Sequence, residues 1–346
     1  IILRTLIMGA GSTVTINGTI SGTGGLYLYT SNVDTNGTLM VSTTTFDCSL
    51  GNLTMPARSY ASVTAINNDC GSACTVTPSA GTHTLTGSLL VSAAATDAVT
   101  FVGATNNPTM NIAGSVSYLS VGAAMTITTG TGTWTVSTSL TLTGGTFTAA
   151  TGNTVVMDGT GTIASGGNIL YNLTANGNGN TVTVATADLT VSNILTVGGA
   201  ADGNNDTLSI NLTRVLTSGP SGTVTIHGSG TDSIAGAGTL VVQHSNLSAN
   251  GTLSAIVTFD DTNGDITMPA RTYGAAVIIT NTGSTGRTVT ASAGTVVFSS
   301  TLTTSKSGSG AQTLQLDTND PATTVTGTLT IDSGTILQAP SANGLN

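Results

Sequence analysis

Two stretches place alternating carboxylate and amide side chains at a spacing that suits a hard cation. They are Asp202/Asn204/Asp206 and Asp261/Asn263/Asp265, both reading D-x-N-x-D. Calcium takes six to eight oxygen ligands and is commonly met by such alternation in a turn. Neither stretch leads to the bidentate Glu that closes an EF-hand loop, and the chain contains no Glu at all. These six residues are therefore candidate calcium ligands. The competing reading is that Asx side chains here supply turn geometry alone.

The cysteines are Cys48, Cys70 and Cys74. Three thiols with this spacing fall short of a closed four-ligand zinc site. Separations of 22 and 26 residues are about one coil of a β-solenoid, which would stack Cys48 near Cys70 or Cys74. A disulfide between coils is one expectation and a local Cys70–Cys74 bridge is the other; either implies an oxidising compartment. The odd thiol is available for cross-linking neighbouring chains.

Acid/base chemistry on polysaccharide would call for paired carboxylates in a groove, and the sequence shows no such clustering. The chain carries a second copy of one long pattern, and the three histidines, His83, His227 and His244, have Val296, Asn17 and Ser31 as counterparts in the other copy. No nucleophile–base set is indicated, and no enzyme is expected. Eight N-x-S/T sequons occur, at Asn17, Asn36, Asn52, Asn172, Asn205, Asn211, Asn246 and Asn250, and only the Asn36/Asn250 pair recurs in both copies. Those two are the candidate glycosylation positions.

That second copy organises the whole chain. Phe46–Tyr60 returns as Phe259–Tyr273 at a constant offset of 213 residues, with nine of fifteen positions identical. The shared core is Met-Pro-Ala-Arg: Pro56 and Arg58 in one copy, Pro269 and Arg271 in the other. Residues 1–210 are the first copy and 211–346 a second, truncated one. Proline lacks an N–H and is confined to strand ends and edges, so Pro56 and Pro269 mark corners. Arg58 and Arg271 are expected to fix those corners by holding backbone carbonyls or a nearby Asp, with Asp47 and Asp260 the first candidates. The apolar start, Ile1–Met8, could pass for the core of a signal peptide. Its counterpart, Asn211–Leu216, argues instead that the chain opens in mid-repeat and that any signal or anchor lies outside it.

Only 6% of the 346 residues are charged and the net charge is −9. That excludes the basic clusters nucleic-acid binding requires. No run reaches the 18 apolar residues of a membrane span. Helix formers are scarce while Thr, Val, Ser and Gly dominate, which favours strands and turns. Short period-2 segments such as Thr82–Leu85, Met125–Thr128 and Thr133–Val136 recur, apolar on one face and Thr on the other. Short strands, Gly-Thr restarts and few aromatics predict an elongated, mostly parallel β-solenoid, with tandem β-sandwich modules as the alternative. The T-x-T strands raise ice binding. That activity needs Thr stacked on one face in successive coils, and uneven coil lengths argue against it.

The segment Asn168–Thr174 through Ala187–Gly199, with its YNLT…NTVTV…DLTVSNILTVGG cadence, resembles the repeats of very large secreted bacterial surface proteins. These are the adhesin and filamentous-haemagglutinin-like group. The resemblance implies a right-handed β-solenoid, an extracellular or cell-surface location, and a structural rod, stalk or adhesin role. Its partners would be neighbouring repeats, copies of itself or surface glycans. The alternative is a subunit of a self-assembling extracellular filament.

Overall fold

A computed structural model describes residues 5–94, 97–119, 124–177, 179–200, 203–228 and 231–342. Every strand pairing it records is parallel, as in Thr82–Leu85 on Thr109–Ile112 and Val277–Asn281 on Leu302–Lys306. Among the described residues the helical pieces are three single 3-10 turns, Cys48–Leu50, Gly103–Thr105 and Asp261–Asn263. The fold is a β-solenoid. None of the helices is long and apolar enough to cross a membrane.

The chain divides into two compact units, Ile1–Tyr171 and Asn172–Asn346. This division differs from the 210/211 boundary of the sequence copies. The physical reason is that stacking continues across that boundary: Leu189–Val197 pairs with Val215–Ser218 in register, so no break in packing marks the start of the second copy.

In the first unit most coils contribute one strand to each of three sheets. The sheet that matters below comprises Leu53–Met55, Cys74–Pro78, Ala98–Val102, Ala124–Thr128 and Thr146–Thr148. Within this unit stacked partners lie as close in sequence as Gly25 and Thr43 and as far apart as Leu89 and Val116. The extra residues are absorbed in the connections, so the strands stay in register. In the second unit the same three-sided arrangement holds from Ile256–Asp260 onward.

Alternation of side chains in each strand sends one row inward. Leu53, Val76, Phe101, Ile127 and Phe147 form one such ladder, each buried. Trp134 sits fully buried between Phe101 and Phe147, with edge-to-face ring centroids at 5.9 and 6.0 Å. An edge-to-face contact pairs a ring's positive rim with its neighbour's negative face. A single Trp therefore fits within a narrow interior.

Candidate functional site

The Met-Pro-Ala-Arg corner is built the same way twice. Arg58 and Arg271 are nearly buried, at 8% and 7% exposure. Arg58 donates from Nη1 to the Asp34 carbonyl at 2.8 Å and from Nη2 to the Gly37 carbonyl at 3.1 Å. Arg271 donates to the carbonyls of Ser248 (2.6 Å), Asn250 (3.3 Å) and Gly251 (3.1 Å). Each guanidinium also lies over the ring of the tyrosine two residues on, at 6.0 Å from Tyr60 and 5.9 Å from Tyr273. Those tyrosines donate their hydroxyls to the Pro56 and Pro269 carbonyls at 2.7 and 3.0 Å. The planar fork of arginine spans two adjacent carbonyls of the previous coil, which lysine's point charge cannot do.

Asp47 and Asp260 are not the partners of these arginines. Each instead caps the 3-10 turn that follows it, accepting from the Ser49 N–H at 3.1 Å and the Thr262 N–H at 3.2 Å. Their other oxygens accept from Asn67 Nδ2 at 3.1 Å and Gln243 Nε2 at 2.9 Å. An acceptor beside a turn's free N–H groups is better satisfied there than across the corner.

The carbonyls clamped by arginine belong to the turns that carry Asn36 and Asn250. Both asparagines are exposed. The glycines after them have φ of +64° and +67°, and a Cβ at Gly37 would overlap the Ile16 carbonyl. The Asn-Gly pair is thus set by backbone geometry, independently of any glycan. A shallow cleft of about 390 Å³ adjoins the second corner, lined by Gly251, Thr252, Ser254, Arg271 and Thr272 among others. Its lining has no acid and no histidine.

Cys48 and Cys74 form a disulfide with Cα atoms 5.8 Å apart, joining neighbouring coils. Cys70 is free and exposed. The local Cys70–Cys74 expectation does not hold: Cys74 opens a strand with its side chain buried, pointing at the turn that holds Cys48.

The aspartate turns do not converge on an ion. Asp202 lies outside the described residues. Asp206 is buried, and its Oδ1 accepts backbone N–H groups from Gly177 (2.9 Å), Gly179 (2.9 Å) and Asn180 (3.3 Å). That oxygen thus fills a nest of backbone amides. Asn204 is half-buried beside it. In the second stretch Asp261 turns into the solenoid and accepts from Gln312 Nε2 at 2.9 Å. Asp265 and Asn263 face solvent, and Asp265 caps the Thr288 N–H at 3.0 Å. Because one carboxylate points in and the other out, Asp261/Asn263/Asp265 is not a calcium loop. Among the described residues no three acid, His or Cys side chains are grouped to hold a metal.

Asp261 is fully buried, and its Oδ1 is unpaired. Burial pushes its pKa up to about 6, aided by Asp260 and Asp265 and opposed by Gln312. His244 has a serine hydroxyl in reach, Ser218 Oγ at 2.8 Å from Nε2. Its Nδ1 accepts the Asn246 N–H at 3.0 Å, so Nε2 carries the proton and donates to the serine. That tautomer cannot act as a base toward Ser218. Burial lowers the His244 pKa to about 4.

Sequence reasoning passed over a set of interior asparagines. Asn68 and Asn281, both fully buried, donate to carbonyls at equivalent places. Asn68 bonds Ser72 (2.7 Å) and Ala98 (2.8 Å), and Asn281 bonds Thr285 (2.8 Å) and Ala311 (3.2 Å). Their shared 213-residue offset was the available signal. No family model matches this chain, and no curated protein or solved structure is detectably similar to it.

Proposed function

We propose that this chain is a non-catalytic extracellular module, a β-solenoid scaffold in a cell-surface stalk or adhesin. The observation that carries this reading is the Cys48–Cys74 bridge between coils, since such bonds persist in oxidising compartments. The arginine corners add support: Arg58 and Arg271 spend their donors on the chain's own carbonyls, leaving the module's chemistry mechanical. Asn36 and Asn250, exposed at their turns, are the positions a glycan would occupy. In the producing cell, protease shaving and surface biotinylation should reach the protein without permeabilisation. Protein extracted under thiol-blocking conditions should yield only Cys70 to alkylation. Three reactive thiols, or labelling only after lysis, would overturn the extracellular assignment.

A further inference from the structure

One face of the first unit carries two stacked rows of threonine side by side. On the sheet Leu53–Met55, Cys74–Pro78, Ala98–Val102, Ala124–Thr128 and Thr146–Thr148, the outward positions form two parallel rows. One is Thr75, Thr100, Thr126 and Thr146; the other is Thr54, Thr77, Val102, Thr128 and Thr148. All nine are exposed or half-exposed, eight are threonine, and none is charged. The inward partners, among them Val76, Phe101, Ile127 and Phe147, are buried and hold the strands from below.

Parallel register fixes the spacing in both directions. Neighbouring coils stand ~4.8 Å apart and alternate residues along a strand ~6.6 Å apart. Threonine is stiff at χ1, so each position presents a methyl and a hydroxyl in a nearly fixed place. Of the eight hydroxyls, only that of Thr128 is engaged by the described chain, through a 3.4 Å contact from the Ala104 N–H. The result is a pre-ordered net of unfilled hydrogen-bonding groups on an uncharged surface. Water oxygens on a prism face of ice also repeat along two perpendicular directions, at intervals of the same order.

A second observation is independent of the spacing. In the other copy Thr267, Thr288, Thr290 and Thr313 stand where Thr54, Thr75, Thr77 and Thr100 stand here, stacked in the same register. In the same strands the buried Cys74 and Val99 have become Arg287 and Gln312. Four outward threonines are kept, while further along the same rows the second copy carries Gln315, Ile336 and Gln338, and the inward Met55 and Val76 are kept as Met268 and Val289. The adjacent sheet carries one such row, Thr82, Thr109, Thr133 and Thr154, but its second row, Thr84, Asn111, Thr135 and Val156, is broken twice. Unequal coil lengths, the objection raised by sequence, do not disturb the rows because the differences lie in the connections.

We infer that the Thr54–Thr148 sheet is an ice-binding face, which orders water on its threonine net and adheres to the ice lattice. This does not depend on the extracellular assignment, since the purified chain can be tested directly. Thermal hysteresis and inhibition of ice recrystallisation should both be measurable with the 346-residue chain. The central variant Thr100→Tyr/Thr126→Tyr should lose at least ten-fold in recrystallisation potency while keeping its strand circular dichroism. Should that variant fold poorly, Val102→Thr, which completes the second row, is the informative one and should raise potency. The neighbouring-face variant Thr109→Tyr/Thr133→Tyr should match the wild type. An inert wild type would overturn the inference, as would full potency in the folded central variant, no gain from Val102→Thr, or equal loss from the neighbouring-face variant.

Discussion

The two copies make a natural substitution experiment at one corner. Cys48 and Cys74 are replaced by Asp261 and Arg287, and Val99 on the next coil by Gln312. The strand register around them is preserved, Leu53↔Val76 in one copy and Ile266↔Val289 in the other. The triple variant Asp261→Cys/Arg287→Cys/Gln312→Val should therefore form a new inter-coil disulfide. The native pair, at a Cα separation of 5.8 Å, is well inside the range a disulfide spans. Closing a loop of 26 residues removes unfolded-state entropy equivalent to about 3.5 kcal/mol at 25 °C. The change also removes the buried Asp261 carboxylate and its unpaired Oδ1, and valine takes away the amide that would be left without a partner. Urea unfolding with and without reductant, set against the same pair of measurements on the Cys70→Ser parent, separates the new bridge from the native Cys48–Cys74 one. The oxidised form should be more stable by about 2–4 kcal/mol. Free thiols at both positions in oxidised, folded protein would mean the copies do not share this corner, and the structural equivalence would be wrong.

The arginine corners predict that Arg58→Ala and Arg271→Ala each destabilise by about 1–3 kcal/mol. Arg271→Ala should cost more because it strands three carbonyls against two. Lysine should rescue neither in thermal melts, and unchanged melting of the alanine variants would remove the structural role. Two buried groups predict opposing pH slopes. Asp261, raised from 3.8 to about 6, contributes stability that is complete below pH 3.8 and is lost as pH rises through 6. His244, lowered from 6.5 to about 4, contributes stability that is complete above pH 6.5 and is lost as pH falls through 4. Each is worth at most about 3 kcal/mol, so they largely cancel in the wild type between pH 4 and 6.5. Asp261→Asn should expose stability rising with pH and His244→Gln stability falling with it; parallel melting profiles for the two variants would refute the assignment. Finally, Gly251→Ala, at φ +67° with Ile226 Cγ2 against the added methyl, should destabilise by over 1 kcal/mol in the same melts.

Much of the architecture was legible because a solenoid repeats one local instruction. Thr-x-Thr strands with an apolar partner row, bounded by glycine and asparagine, specify a strand buried on one side wherever they occur. The 213-residue echo identified the Pro-Arg corners before any coordinates. What escaped was whatever depends on stacking. Spacing alone left Cys48 free to meet Cys70 or Cys74, and only the inward pointing of Cys74 in its strand decides between them. Asp261 and Asp265 read as a pair because they are four apart, yet a 3-10 turn and the strand after it send them to opposite sides of the wall. Arg58 and Asp47 looked complementary because charges are so rare here. The unpaired carbonyls of the preceding coil were a stronger demand, and sequence does not reveal which carbonyls a corner leaves open. The threonine rows show the same limit from the other side. Irregular repeat length argued against them, but register in a solenoid is set where strands pair and slack is taken up where they do not. A residue count from one coil to the next therefore measures its connections, and only the pairing tells which side chains share a row.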